Sequence, residues 1–404
     1  MAEMIRVLIC GAGSSTHALA GIISMNPGVE VRVFINKVDK VCRWREQMND
    51  RGLTVNVWNE NNERVQFITN PFLVTDNPEE AARYCDLIIL ALPAFLHLEY
   101  LNLLAPYIEE RSIIVGLPGQ CGFEFDVRNA LGSKVNTCVV MNFESLPWIC
   151  HLIDLGKTVD ILGTKHQLAG ALDGDLTQVR IPNPVACLES LLGDLPKLVV
   201  SGHLLGITLM APNAYSHPPI MYGRWKDWNG NPLEKPPLFY HGLDEYTAEL
   251  LEKISEESLK ISDSIAAEFP SVDLDQVIPM YKWEMIHYGN YIKDKKNLMT
   301  ANRTNIRYEG ITHPMLQTID GKYMPNFNHR FITEDLPFGL VVIRGIAELA
   351  GVSTPEIDTV LLWCQNKLGK EYLVGSRLVG KDLATTRCPQ RYGLKTLADI
   401  LGIP

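Results

Sequence analysis

The sequence lacks paired cysteines, although nine cysteines occur among its 404 residues. No two of them form a C-x-x-C pair, and none has a histidine partner at zinc-finger spacing. Disulfide frameworks and structural zinc sites both depend on such spacing. The sequence therefore predicts neither of them, and we expect free thiols, no bound metal and a reducing, cytoplasmic location.

An excess of basic residues is also missing, because 37 lysines and arginines stand against 47 aspartates and glutamates. The net charge of -10 offers no positive field to a polyanionic backbone, so we expect no nucleic-acid partner. Hydrophobic residues make up 46% and charged residues 21% of the chain, a composition that excludes a disordered or fibrous protein. The length is typical of two or three globular domains.

No long apolar run interrupts this globular pattern. The longest, residues 87–98, contains Pro93 and His97 and falls short of the roughly 20 residues that cross a bilayer. The first apolar stretch is broken early by Gly11, so we expect no signal peptide. These features predict a protein without a membrane partner.

Short apolar runs alternate with helical patterns in the first part of the chain. Strands are predicted at residues 5–10, 29–35, 55–58, 65–68, 87–91, 113–116 and 138–142. Such alternation favours a parallel sheet covered on both faces. After about residue 200 the strand patterns become rare, and long periodic stretches such as residues 243–269 predict helices.

A glycine turn follows the first predicted strand. Gly11 and Gly13 permit a tight turn, and Ser14, Ser15 and Thr16 open the helix that follows. In this context backbone N–H groups at the helix start can bind a pyrophosphate. Thr16 stands where the full motif has glycine or alanine, so a purely structural turn is the alternative. We predict an α/β fold, with a Rossmann-type dinucleotide-binding domain at residues 1–204 and a mainly α-helical domain at residues 205–404.

The end of the second strand leaves the choice of cofactor open. NAD-binding sites normally place an aspartate or glutamate there, whereas this strand ends at Asn36. Asn36 can still bond to a ribose, while Lys37, Arg43 and Arg45 could accept a 2′-phosphate. The residues alone allow either NAD or NADP.

Three further turns follow predicted strands, at residues 90–94, 116–120 and 142–147. The carboxyl ends of parallel strands share one edge of a sheet, so these turns are candidates for one ligand crevice. Leu92 and Pro93 in the first turn would face the cofactor. Each turn could also simply terminate its strand.

His217 is the candidate acid–base residue among ten histidines. The prolines after it restrict the backbone and could fix the direction of the imidazole. Arg330 offers a fork for a carboxylate, and Asp335 could orient a histidine. The alternatives are a loop histidine bonded to a carbonyl and a helix start capped by Thr333 or Asp335.

The chain resembles the opine dehydrogenases of marine invertebrates, which include octopine, alanopine, strombine and tauropine dehydrogenases. The likeness runs nearly end to end, through residues 11–13, 115–125, 143–148, 217–225, 330–335 and 380–393. It implies an NADH-dependent reductive condensation of pyruvate with an amino acid, giving an N-(1-carboxyethyl) amino acid. It also implies a monomer that reoxidises NADH in anaerobic glycolysis.

The resemblance implies a role for each matching residue. His217 would be the acid–base catalyst, Asp335 would orient it, and Arg330 would hold the carboxylate of pyruvate. The other substrate-binding positions are Gln120 and Ser145 beside pyruvate, and Glu144 and Trp283 beside the amino donor.

One segment departs from octopine dehydrogenase, since residues 210–215 read Met-Ala-Pro-Asn-Ala-Tyr without that enzyme's methionine nearer His217. This favours a small donor, namely alanine, glycine, β-alanine or taurine, over L-arginine. Two other activities stay open: an NADPH-dependent hydroxy-acid dehydrogenase and a catalytically silent sensor of NAD(H).

Overall fold

The computed structural model describes residues 4–58 and 63–403. The chain divides into two units, Met1–Ile207 and Thr208–Pro404. The short helix α7 (Leu204–Leu209) carries the chain from the first unit into the second. Among the residues described, no helix is both long enough and apolar enough to pass through a bilayer.

Two sheets form the framework of the first unit. The larger one has the order β12-β11-β8-β7-β6-β1-β2-β5, and its pairs are parallel except β8 with β11. The strands are β1 (Ile5–Cys10), β2 (Val29–Phe34), β3 (Leu53–Trp58), β4 (Arg64–Thr69), β5 (Leu73–Thr75), β6 (Leu87–Leu90), β7 (Ile113–Gly116), β8 (Val139–Phe143), β9 (Trp148–Asp154), β10 (Thr158–Thr164), β11 (Gln167–Asp173) and β12 (Lys197–Val200).

The central strands are buried on both faces, which explains why they read as continuous apolar runs. In β1, Val7 and Ile9 join one hydrophobic cluster, whereas Leu8 and Cys10 join another. Helices cover the two faces. They are α1 (Ser14–Ile23), α2 (Val38–Asp50), α3 (Pro78–Ala82), α4 (Ala94–Leu104), α5 (Phe123–Leu131) and α6 (Pro184–Leu192), with a 3-10 segment at Gly132–Thr137.

The smaller sheet corrects one expectation from the sequence. Strands β3 and β4 were expected in the parallel sheet, but they form a separate sheet of order β4-β3-β10-β9 in which only β3 and β10 are parallel. The chain between β3 and β4 is too short for the crossover that a parallel pair requires. Val55 of β3 and Val159 of β10 pack into the same cluster as α1.

The second unit is mainly helical, which confirms the predicted fold class. Its longest helix, α9, is capped by Asp244, whose carboxylate accepts from Thr247 N at 2.8 Å. The helices are α8 (Pro212–Trp225), α9 (Glu245–Glu268), α10 (Met280–Tyr288), α11 (Leu298–Thr304), α12 (Arg330–Thr333), α13 (Val341–Leu349), α14 (Pro355–Leu368) and α15 (Leu397–Leu401).

Short elements complete this unit. A π-helical turn, Leu336–Leu340, precedes α13. The hairpins are β13 (Met315–Gln317) with β14 (Tyr323–Pro325) and β15 (Leu373–Val374) with β16 (Arg377–Leu378). The 3-10 turns are Gly289–Tyr291, Ile306–Tyr308, Leu383–Thr385 and Pro389–Tyr392.

Candidate active site

The glycine turn of the first unit joins β1 to α1. Gly11 has φ +126°, and a Cβ there would lie 2.6 Å from Thr16 Oγ1 and 2.8 Å from Leu92 Cδ2. Only glycine fits such a position. Thr16 is fully buried at the position of the missing third glycine, so its side chain packs beneath the turn.

The N-terminus of α1 is open in front of Gly13. A Cβ on Gly13 would meet no atom within 4 Å. In the described part of the chain, no side chain caps this helix and its first turn holds no acidic residue. The first N–H groups of α1 therefore suit an anionic ligand such as a diphosphate.

The serine hydroxyls of this turn bond to the protein itself. Ser15 Oγ donates to Ala91 O at 3.3 Å, and Ser14 Oγ accepts from Leu152 N of β9 at 3.1 Å. Both bonds hold the start of α1 in place. These two predicted cofactor residues therefore also stabilise the local structure.

His17 adds a further brace below the turn. Its Nδ1 lies 2.8 Å from Gly13 O, and its Nε2 accepts from Gly156 N at 2.8 Å. The ring stacks on Trp44, with centroids 3.8 Å apart. Burial lowers the pKa of His17 to about 4. His17 is therefore neutral at pH 7, with its hydrogen on Nδ1.

The end of β2 lies beside the glycine turn, since Gly11 N donates to Phe34 O at 2.9 Å. Asn36 Nδ2 donates to Glu99 Oε1 of α4 at 2.6 Å. Arg43, which the sequence offered as a cofactor ligand, forms an ion pair with Asp154 at 2.8 Å, and its side chain is 61% exposed.

The predicted cofactor loop after β6 is firmly held. Leu92 is buried, and its carbonyl oxygen lies 3.0 Å from His97 Nε2. Pro93 caps the N-terminus of α4.

Gln120 lies in a loop that Asn142 braces. Gly119 N donates to Asn142 Oδ1, and Asn142 Nδ2 donates to Gln120 O, both at 3.1 Å. Gln120 has φ +64°, an uncommon conformation for a residue with a side chain. The fully buried Asn142 thus fixes the loop and the backbone of Gln120.

Glu144 and Ser145 meet a lysine that sequence reasoning missed. Lys165 Nζ donates to Ser145 Oγ at 2.6 Å. Burial lowers the pKa of Lys165, while the nearby Glu144 charge opposes this shift. Glu144 Oε1 also accepts from Ala169 N at 3.4 Å. No sequence motif marks Lys165, which lies in the short connection between β10 and β11, two strands of different sheets.

In the second unit, His217 and Asp335 lie together. His217 Nδ1 is 2.8 Å from Asp335 Oδ2, and both residues are more than nine-tenths buried. An ionised carboxylate only accepts, so Nδ1 carries the hydrogen of this bond. Phe331 stacks on the imidazole with centroids 3.8 Å apart. The ring is thereby fixed in both plane and direction.

The other ring nitrogen faces Tyr240, a residue that sequence reasoning missed. His217 Nε2 lies 3.0 Å from the Tyr240 hydroxyl. Burial raises the pKa of Tyr240, so the hydroxyl keeps its hydrogen and can donate to Nε2 whenever that nitrogen carries none. The aromatic segment Phe239–Tyr240 was the available signal, but it carries no distinctive spacing.

The local conformation of His217 is helical, unlike the loop that the sequence left open as an alternative. His217 lies in the middle of α8, and Pro218 and Pro219 are inside the helix. Prolines usually end helices because they lack the N–H donor. Here the helix is heavily buried, and Gly339 lets the π-helical turn approach Ala214, since a Cβ would lie 2.7 Å from Ala214 Cβ. Packing therefore offsets the lost hydrogen bonds.

Arg330 begins α12 at the surface of the second unit. Its side chain is 61% exposed, and Nη2 pairs with the buried Glu334 at 2.8 Å. His329, not Thr333 or Asp335, caps α12. Although Arg330 pairs with Glu334, most of its side chain remains in contact with solvent.

Trp283 lies on α10 next to a buried polar network. Its indole stacks on the ring of His287 at 4.2 Å. The adjacent Glu284 accepts from Tyr308 Oη at 3.2 Å and from Asn305 Nδ2 at 3.3 Å. Burial raises the pKa of Glu284 to about 7. Tyr308 in turn stacks on Tyr240 at 4.0 Å, so the network extends to the partner of His217.

Comparisons with known proteins show which family the chain is similar to. Residues 200–368 match the family model described as NAD/NADP octopine/nopaline dehydrogenase, alpha-helical domain. The chain is 44% identical over 398 residues to tauropine dehydrogenase of Arabella iricolor, covering 98% of this chain and 100% of that protein. It is 42% identical over 406 residues to opine dehydrogenase of Haliotis discus hannai, covering 100% of both chains.

Solved structures are similar over almost the whole chain. Octopine dehydrogenase with NADH and L-arginine has a TM-score of 0.95 and 40% identity, with 98% of each chain covered. The same enzyme with NADH and pyruvate has a TM-score of 0.93 and 38% identity, with 99% of each chain covered.

The dinucleotide-type turn and the buried histidine–aspartate pair on a helical unit define an NAD-dependent dehydrogenase. The chain belongs to the opine dehydrogenase family, which confirms the resemblance found in the sequence.

Proposed function

We propose that the protein catalyses the NADH-dependent condensation of pyruvate with a small amino acid, giving an N-(1-carboxyethyl) amino acid. The observation that carries this proposal is the His217–Asp335 pair, with 2.8 Å between Nδ1 and Oδ2. Reductive condensation needs an acid–base group of near-neutral pKa, and a silent sensor has no need of one. The family relationship supports the same reaction.

Residues 1–204 are proposed to hold NADH. Gly11 and Gly13 would admit the pyrophosphate to the start of α1, where Ser14, Ser15 and Thr16 fix the turn. The remaining contacts proposed for the cofactor are Asn36, Arg43, Leu92 and Pro93. When bound, NADH supplies the hydride that reduces the carbon–nitrogen double bond.

His217 is proposed to move the proton. Forming the imine expels the keto oxygen of pyruvate as water, which requires protonation of that oxygen. His217 Nε2 is the atom that would deliver the proton, because Nδ1 is committed to Asp335. Asp335 would stabilise the imidazolium. The Tyr240 hydroxyl lies 3.0 Å from Nε2 and helps to fix the orientation of the ring.

Charged and polar side chains are proposed to hold the substrates. Arg330 would bind the pyruvate carboxylate, for which its exposed guanidinium is available as a fork. In the first unit, Gln120 and Ser145 would contact pyruvate, and Lys165 adds positive charge beside Ser145. In residues 205–404, Trp283 is proposed to contact the amino donor, and Glu144 of the first unit is proposed to accept from its ammonium group.

A small donor is proposed: alanine, glycine, β-alanine or taurine. The helical turn before His217 is made of Asn213, Ala214, Tyr215 and Ser216. Ser216 Oγ donates to Pro212 O at 2.8 Å, and the Tyr215 hydroxyl donates to Leu209 O. The similarity to tauropine dehydrogenase also favours a small donor.

The test is NADH oxidation, followed by absorbance, with pyruvate and one amine at a time. L-arginine is included with the four small donors, and the best donor is repeated with NADPH. We expect a rate that depends on a small amine. Arginine as the best donor would contradict the small-donor proposal, and an equal rate with pyruvate alone would contradict the condensation. Binding of NADH without turnover would favour a sensor.

We also propose that the protein is a cytoplasmic monomer without a nucleic-acid partner. Pyruvate and NADH both arise in glycolysis, so an enzyme that consumes both would restore NAD when oxygen is short. The net charge of -10 supports the absence of nucleic acid. Light scattering after size-exclusion chromatography tests the monomer, and a dimer mass would contradict it.

A further inference from the structure

The acid that NAD-specific sites place at the end of the second strand is missing from β2, where the chain reads Phe34-Ile35-Asn36. A carboxylate nevertheless reaches this point from another helix. Glu99 Oε1 of α4 accepts from Asn36 Nδ2 at 2.6 Å. The exposed Glu99 therefore places a negative charge at the end of β2.

The position of this carboxylate is fixed by its neighbour. The Tyr100 hydroxyl accepts from Asn36 N at 3.0 Å, and its ring contacts Phe34 edge-on at 5.3 Å. Tyr100 is buried. Two hydrogen bonds thus tie consecutive residues of α4 to Asn36, so Glu99 is held in place there.

The end of β2 is also next to the nucleotide turn. Cys10 and Phe34 are partners in the β1–β2 register, and Gly11 N donates to Phe34 O. In dinucleotide-binding sheets the pyrophosphate lies at such a turn, and the adenosine ribose lies over the end of the second strand. The bond to Asn36 thus places Glu99 at the strand end over which the ribose lies in such sheets.

We propose that Glu99 selects NADH over NADPH, an inference that rests on the dinucleotide site proposed above. Its carboxylate would accept hydrogen bonds from the ribose hydroxyls and repel a 2′-phosphate. Of the basic residues nearby, Arg45 is engaged elsewhere, since its Nε donates to Val74 O at 2.6 Å. Lys37 is exposed and is the cation nearest in sequence.

The experiment measures binding of NADH and NADPH to the substrate-free protein by fluorescence titration. For Glu99→Gln, the ratio of the NADPH Kd to the NADH Kd should fall by about tenfold or more, because a charge-assisted bond is lost and a repulsion is removed. Glu110→Gln is the matched control, an exposed carboxylate of the same unit. Its ratio should stay at the wild-type value.

A second variant tests the position of the charge. Adding Asn36→Asp to Glu99→Gln moves the carboxylate to the strand itself and should restore most of the preference for NADH. Thermal unfolding confirms that each variant is folded. An unchanged ratio in a folded Glu99→Gln protein, or a double variant no better than the single one, would overturn the assignment of Glu99.

The same titration separates this inference from the proposed function. If the wild type binds NADH and the ratio does not respond to Glu99→Gln, only the role of Glu99 fails. If the wild type binds neither nucleotide, the proposed function fails and the role of Glu99 fails with it.

Discussion

Each unit of the protein contains a buried histidine stacked on an aromatic ring, yet the two differ in chemistry. His17 stacks on Trp44 and His217 on Phe331, both with ring centroids 3.8 Å apart. In each case both ring nitrogens have a hydrogen-bonding partner. Burial and stacking therefore do not distinguish His17, which braces the glycine turn, from His217, the proposed acid–base residue.

The partners make the difference. His17 bonds to a backbone carbonyl and a backbone N–H, and this pair admits only the neutral tautomer with hydrogen on Nδ1. His217 bonds to the carboxylate of Asp335 and the hydroxyl of Tyr240. A hydroxyl can both donate and accept, so His217 keeps its partners in either protonation state. Only such a histidine can take up and release a proton in place.

The largest expected effect is that of His217→Ala. Turnover should fall by about 100-fold or more, since general acid–base catalysis contributes about that much. The Kd for NADH should change little, because the proposed cofactor contacts lie in the other unit. Steady-state kinetics with a parallel fluorescence titration measures both, and wild-type turnover would remove His217 from the mechanism.

Asp335→Asn should reduce turnover by up to about 100-fold. An amide that donates to Nδ1 would favour the wrong tautomer and would not stabilise the imidazolium. Both the value of kcat and its dependence on pH should change. A loss of activity with an unchanged pH profile would mean that Asp335 only supports the local structure.

His17→Gln tests the other side of the comparison through stability. The pKa of His17 is about 4 in the folded protein, against 6.5 as the ordinary value. The unfolded chain therefore binds the proton first, and the wild type loses stability as pH falls from about 6.5 to about 4. This contribution should amount to about 3 kcal/mol, the equivalent of a shift of about 2.5 in pKa. Urea unfolding at several pH values should show that His17→Gln lacks it.

The exposed His151 provides the control for that experiment. His151→Gln should keep the wild-type loss of stability between pH 6.5 and pH 4, since its ring is not enclosed. Equal pH dependence in the His17→Gln variant and the wild type would contradict the neutral state assigned to His17.

The smallest effect is expected for Tyr240→Phe. Removing the hydroxyl frees Nε2 but leaves the Asp335 bond, so kcat should fall by about tenfold. The stacking of ring 240 on Tyr308 is retained, and stability should change little. An unchanged kcat would limit Tyr240 to packing.

Much of the fold follows directly from local sequence patterns. The strands of the parallel sheet are apolar runs bounded by turn residues, and the glycine turn after β1 lies where the sequence placed it. The small sheet was not predictable as a separate layer, because β3 and β10 pair across about 100 residues of chain. Pairing over such a distance leaves no local pattern.

Candidate site residues could be predicted only where the residue type itself indicates the chemistry. His217 and Asp335 could be chosen from the sequence, and they lie in contact. Lys165 and Glu99 could not, because their roles depend on neighbours that only the tertiary structure supplies. The sequence did not indicate the helical setting of His217 either, because two prolines follow this residue and the helix depends on buried packing.

The small sheet has a further consequence for the nucleotide turn. Ser14 and His17 of α1 accept hydrogen bonds from Leu152 and Gly156, which lie in the β9–β10 hairpin. Opening either element breaks both bonds, so the helix start and the hairpin should open as one cooperative unit. In hydrogen exchange, a nucleotide bound at the turn would therefore slow exchange at amides of a hairpin more than 130 residues further along the chain.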